Sequence, residues 1–185
     1  MKTLLLSVAI ATFLSSTCVN AAPPKKASRS APATAAKPLP VFDFLGQNTE
    51  SITTMTSLNG TACSGSVQEK FECRDFNDPK IGGVTLSFID MTFYQGKLYM
   101  LIGSAGRYSF GDLLGAFSSK YGAPSMKTEK WQNRAGAQLD NSVAVWKFKG
   151  GNLELKSIGS SLNDVDFTFI SAINSPPAAA AKVDF

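Results

Sequence analysis

The sequence contains no histidine. That absence removes Ser-His and Cys-His nucleophilic systems, His-liganded zinc and haem, and the usual general base at neutral pH. No Ser-x-x-Lys occurs, and there is neither a P-loop nor a Gly-x-Gly-x-x-Gly, so the common His-free hydrolase and nucleotide signatures are missing too. Cysteine is scarce, with three residues in 185. Beyond the N-terminus no stretch is long and apolar enough for a membrane-spanning helix, which needs about 20 such residues.

Residues 1–21 have the three parts of a cleavable signal peptide: Lys2, an uncharged apolar stretch from Leu4 to Leu14, and Val19-Asn20-Ala21 before the cut. The expected location is therefore outside the cytoplasm, periplasmic or secreted. Thr17 precedes Cys18 where a lipobox favours Gly, Ala or Ser, which counts against a lipoprotein. If Cys18 leaves with the signal peptide, Cys63 and Cys73 remain. An even count in an exported chain argues for a disulfide rather than metal or redox chemistry.

Acidic residues are absent from 22–40, where Lys25, Lys26, Arg29 and Lys37 stand among Pro, Ala and Ser. Taking those four and Lys2 from the 18 basic residues leaves 13, against 14 acidic ones. The basic character belongs to the linker, and no nucleic-acid footprint is expected on the folded part. Residues 22–40 hold almost nothing to bury and read as a disordered tether, able at most to touch an anionic surface loosely. Residues 175–185 read as a second flexible end. One α+β domain is expected over 41–174.

Within it the spacing predicts a helix over Thr49–Leu58, capped by Asn48, with Ile52 and Met55 on one face. A hairpin follows, with strands at Thr61–Ser66 and Lys70–Phe76 that set Cys63 opposite Cys73. Gln95-Gly96 turns a second hairpin between Val84–Tyr94 and Lys97–Gly103. Plain alternation there pairs Phe93 with Leu98, Met91 with Met100 and Ile89 with Ile102 on the buried face. A second helix runs Phe110–Tyr121, striped by Leu113, Leu114 and Phe117 and stopped by Gly122. Strands follow at Met126–Arg134, Ser142–Lys149, Asn152–Ile158 and Val165–Ser171. A Gly150-Gly151 turn pairs Phe148 with Leu153 and Trp146 with Leu155.

Phe93-x-x-Gly96-x-Leu98 and Phe148-x-x-Gly151-x-Leu153 match position for position. The pattern reads either as two tandem α-β4 units forming one antiparallel sheet with both helices on one face, or as two ordinary hairpins sharing turn chemistry. In this organisation the chain resembles the β-lactamase inhibitory protein type of α+β fold, shared with small outer-membrane-assembly lipoproteins. The resemblance covers about 125 residues and implies a fold that binds other proteins with its sheet. It carries no binding residue across.

Among carboxylates, Asp164 and Asp166 lie two apart on one strand, a spacing that suits solvated neighbours better than a glycosidase pair. Asp75 and Asp78 flank a loop but lack the ligand count of a calcium site. No enzyme activity and no cofactor are expected. The sheet face opposite the helices is expected to carry Phe88, Asp90, Tyr99 and Leu101, then Val143, Val145, Lys147, Lys149, Glu154 and Lys156, with Lys147 opposite Glu154. An apolar strip of Phe88, Tyr99, Leu101, Val143 and Val145 beside Lys147 reads as a surface for another envelope or secreted protein. The alternative is a carrier holding an apolar small molecule between sheet and helices.

Overall fold

The computed structural model describes residues 38–54, 61–75 and 77–174. The expected signal peptide, Cys18, residues 22–37 of the expected tether, Met55 and the second half of the first expected helix, Phe76, and the expected 175–185 tail lie outside them.

The described chain is mostly strand. β1 (Asp43–Phe44) and β2 (Gln47–Asn48) make a small hairpin. β3 (Ala62–Gly65), β4 (Lys70–Asp75), β5 (Lys80–Ile81), β6 (Val84–Tyr94) and β7 (Lys97–Gly106) precede the helix α1 (Phe110–Tyr121). β8 (Ser125–Gln132), β9 (Gln138–Phe148), β10 (Gly151–Lys156) and β11 (Asp164–Ser171) follow it. The large antiparallel sheet runs β3-β4-β6-β7-β11-β10-β9-β8, with β5 on the start of β6. Each half is a meander of four strands, and the halves join through their last strands, β7 and β11.

One helix, not two, lies on this sheet among the described residues, which overturns the expected pair of α-β4 units. Asn48 does bond forward, accepting from the N–H groups of Glu50 (2.9 Å) and Ser51 (2.7 Å). That is the start of a turn rather than of a helix. Thr53 is buried and its N–H donates to Gly96 O at 2.6 Å, tying the chain to the β6–β7 turn. Three threonines in six residues are weak helix formers, and this tertiary bond outweighs the cap.

α1 keeps the expected bounds. Leu113 and Phe117 are buried, Leu114 packs against the core, and Gly122 takes φ 86° as its N–H bonds Ser118 O. Gly111 and Gly115 are poor helix formers, so packing on the sheet rather than propensity holds this helix. Tyr121 Oη donates to Asp43 O at 2.7 Å, fastening the helix end to β1. Burial, and next the Asp43 charge, push its phenol above the ordinary value.

Aromatic rings form the core between sheet and helix. Phe42 lies flat on Phe169, with ring centroids 3.8 Å apart, and meets Phe148 and Tyr121. Phe167 meets the edge of Phe117 and lies over Gly103, where a Cβ would come within 2.1 Å of the ring. Phe42 and Phe44 are thus part of the core. The main chain of Pro40 is tied down too, accepting from Lys149 N–H at 2.8 Å.

The first hairpin has the expected register, with Cys63 opposite Cys73 and the two sulfurs bonded. The β9–β10 hairpin is shifted. Its turn is Lys149-Gly150, so Trp146 faces Leu153 and Ala144 faces Leu155. Lys147 stands opposite Asn152, and Val145 opposite Glu154. Moving a pairing by two keeps every side chain on its face.

Candidate functional site

The open face of the sheet is set by two bulges in the central hairpin. Phe93 pairs with Leu98 as expected, but Thr92 then pairs with Met100 and Met91 with Leu101. Tyr99 is the extra residue, and beyond it the alternation of β7 is reversed. Leu101 is therefore a wholly buried core residue, not an open-face one. Met100 and Ile102, expected inside, are half-buried on the open face. Gly103 and Ala105 take the inward positions after Leu101 because Phe167 and Val165 of β11 lie opposite them. The hydrophobic signal of β7 thus sits on its outer face, and alternation alone misleads. Ser87 is the extra residue of β6, which turns Phe88 outward opposite Ser104.

The pairings place the open-face side chains in rows across the strands. One row reads Glu72, Thr92, Met100, Ile170, Asn152 and Lys147; the next reads Arg74, Asp90, Ile102, Thr168, Glu154 and Val145. Met100, Ile102 and Ile170 form the apolar centre, and Ile170 is 49 % exposed. Ile170 was not foreseen, although its alternation with Phe169 in β11 carried the signal. A hollow of about 410 Å³ lies on the β4 side of this centre, between Ser64, Glu72, Arg74, Asp90, Met100 and Ile102. A smaller one of about 270 Å³ lies beyond it, between Asn152, Glu154, Thr168 and Ile170.

Charge frames the centre on both sides. Arg74 grips Asp90 through two guanidinium nitrogens, which raises the Arg74 pKa above its ordinary value. On the far side Lys127, Glu129, Glu154 and Lys156 form a square, with contacts of 2.7 Å (Lys127–Glu129) and 3.2 Å (Lys127–Glu154). Lys156 closes it at 3.7 Å from Glu129 and 3.8 Å from Glu154. The hydrogen bond from Lys127 holds the Glu129 carboxyl below the ordinary range. Val143 stands between Lys127 and Lys156 in the register and is completely buried. It belongs to the open face but offers no surface, since the charged side chains close over it.

Of the residues expected here, Phe88, Val145 and Lys147 are on the open face, with Lys147 exposed and the other two half-buried. Tyr99 sits half-buried in the bulge.

The loop 157–163 covers one end of this face. Asn141 is its anchor: its Nδ2 donates to Ile158 O at 2.7 Å, and its Oδ1 accepts from Ile158 N–H (2.9 Å) and Ser157 Oγ (3.0 Å). Trp131 Nε1 donates to Gly159 O at 3.3 Å. A larger concavity of about 970 Å³ opens beside α1, between Gly111, Gly115, Gly82, Gly83, Leu45 and Lys80. Phe44, Phe117 and Tyr121 of the aromatic core form part of its wall.

Among the described residues no group of three His, Cys, Asp or Glu could hold a metal. No helix among them is long and apolar enough to cross a membrane. No family model, curated protein or solved structure matches this chain.

Proposed function

We propose that this chain is an exported, non-enzymatic protein that recognises another envelope or secreted protein through the open face of its sheet, as an inhibitor or an assembly factor. The observation that carries the reading is the apolar centre of Met100, Ile102 and Ile170, set between the Arg74–Asp90 pair and the Lys127–Glu154 square. A solvated sheet face alternates to polar side chains, whereas an apolar centre with a charged rim is the anatomy of a recognition surface. The hollows on either side of the centre suit side chains inserted by a partner. The Cys63–Cys73 bond fits an oxidising compartment.

The space between sheet and helix is filled by Phe42, Phe117, Phe167 and Phe169, which favours protein recognition over a ligand carried there. A carrier role finds support in the groove beside α1, whose wall mixes Phe44, Phe117 and Tyr121 with glycine and lysine and suits an amphipathic molecule.

The experiment compares capture from an envelope extract by the native chain and by its Ile102→Asp and Ile170→Asp variants, all checked for native circular dichroism. A partner held by the native chain and lost by both variants supports the reading. Unchanged capture by two folded variants sinks it. Native mass spectrometry of the purified protein tests the carrier role through any small molecule retained.

A further inference from the structure

The two margins of the sheet differ. β3 has four residues, is bonded to its neighbour through Cys63–Cys73 and ends at Gly65 with φ 112°. β8 has eight residues, no proline and no bulge, and it pairs with β9 from Ser125↔Val145 to Gln132↔Gln138. Natural sheets keep exposed edges short or interrupted because a long regular edge is a template for another strand. β8 is such a template.

Hydrogen bonds just beyond the strands fix which way its main chain points. Asn133 N–H donates to Ala137 O at 3.0 Å, continuing the β8–β9 ladder, and Ser157 N–H donates to Ser142 O at 2.9 Å, continuing β9–β10. In an antiparallel ladder bonded and non-bonded pairs alternate. Odd-numbered residues of β9 therefore bond β8, and even-numbered ones bond β10. It follows that Ser125, Lys127, Glu129 and Trp131 turn their peptide groups to β9, while Met126, Thr128, Lys130 and Gln132 turn theirs outward. Among the described residues no main-chain group meets those four from outside.

We propose that β8 pairs antiparallel with β8 of a second copy of this chain, with Thr128 opposite Thr128 on the two-fold axis. Residues with outward peptide groups must face one another, which limits the register. Centring on Met126 pairs too few residues, and centring on Lys130 sets that lysine against its own copy. Centring between the bonded positions, on Lys127 or Glu129, opposes like charges in the same way. Centring on Thr128 sets Lys127 opposite Glu129 of the second copy, twice, in the closely spaced pairs. It also lays the stem of Lys130 over Met126, which is 54 % exposed in the single chain. The Lys127–Glu129–Glu154–Lys156 square would then extend across the axis as one ladder of alternating charge, and the two open faces would become one continuous surface.

Single cysteines read the register directly. In a chain carrying Cys18→Ser, Lys127→Cys and Glu129→Cys are made separately. Across the axis these two positions are about 4.5 Å apart between Cα atoms, within disulfide reach, whereas each lies about 8 Å from its own copy. Mild oxidation of the mixed variants is expected to yield a disulfide-linked dimer on non-reducing gels, and neither variant alone should do so. Adding Thr128→Pro, which removes an outward N–H that no neighbour in the single chain uses, should abolish the cross-link. Sedimentation equilibrium should independently show native dimers lost in Glu129→Lys. The proposal is overturned if the mixture cross-links no more than the single variants. It is also overturned if Thr128→Pro leaves the cross-link intact, or if the native chain is monomeric at every concentration. That last outcome would leave β8 to this chain's own ends or to a strand of another protein.

Discussion

Leu101 stands opposite Met91 on the core side of the sheet, one place further along β7 than unbroken alternation from Leu98 would put it. The consequence is a reversal of which side chains carry stability. Leu101→Ala is expected to cost about 2–5 kcal/mol through lost burial and a residual cavity. Met100→Ala and Ile102→Ala, half-buried on the other face, should cost clearly less. Urea denaturation of the three variants checks the order, and equal losses at Leu101 and Ile102 would contradict the bulge at Tyr99.

The disulfide closes a short loop at the weaker margin of the sheet. In the chain-entropy view, replacing Cys63 and Cys73 together by serine should lower stability by about 3 kcal/mol. Non-reducing mass spectrometry of the native chain should show these two residues linked. Free thiols there would also remove the compartment argument.

The described chain is tied to the domain from Pro40 and Phe42 onward. Trimming residues 22–37 should leave the thermal midpoint nearly unchanged. Phe42→Ala should destabilise by about 3–5 kcal/mol, because its ring is fully buried against Phe169 and Phe148. Calorimetry of the trimmed chain and the point variant separates the two effects. A large drop on trimming to residue 37 would mean that the tether packs on the domain.

Asn141 satisfies both main-chain groups of Ile158. Asn141→Ala leaves those groups without partners in a partly buried place, at a cost of about 1–3 kcal/mol. Hydrogen exchange should quicken at residues 157–163 and stay slow in β6 and β7. Unchanged exchange in the loop would show that Trp131, together with Asp166, whose Oδ2 accepts from Ser160 N–H at 2.6 Å, holds it without Asn141.

The charged square gives a pH signature of definite sign. The Glu129 carboxyl is held below its unfolded value by Lys127. Its contribution is therefore complete above the unfolded carboxylate pKa and fades as pH falls through the lower folded value. A carbon NMR titration should place the Glu129 midpoint below that of an unstructured glutamate. Lys127→Met should move it back up. An ordinary midpoint in the native chain would mean that the square does not persist in solution.

How much of this was legible in the sequence follows from where each signal resides. α1, the Cys63–Cys73 hairpin and the Gln95-Gly96 turn rest on local chemistry: an apolar stripe, a stop glycine, two cysteines across a short loop. All three appear as read. The β9–β10 register was misread by two residues, yet Val145 and Lys147 still fall on the open face because a shift of two preserves parity. A single extra residue, Tyr99, did the opposite to Leu101. Nothing local marks that bulge, since Gly103 and Ala105 face inward only because rings from distant β11 fill their space. The first helix failed for the same kind of reason, as Thr53 is claimed by Gly96 across the fold. Lys127 and Glu129, which close over Val143, lay on a strand whose partners the sequence pattern left unassigned.

The seam between β7 and β11 has a kinetic consequence. Among the described strands, the one at the middle of the sheet, β11, is made after all its neighbours, the outermost β8 included. Until Asp164–Ser171 arrives, β7 and β10 both present naked inner edges, and the places of Phe167 and Phe169 over Gly103 and Gly151 stand empty. Neither meander completes its core without the rings of β11. A chain broken off before β11 therefore carries two sticky edges rather than a smaller version of the molecule, the form most prone to clump.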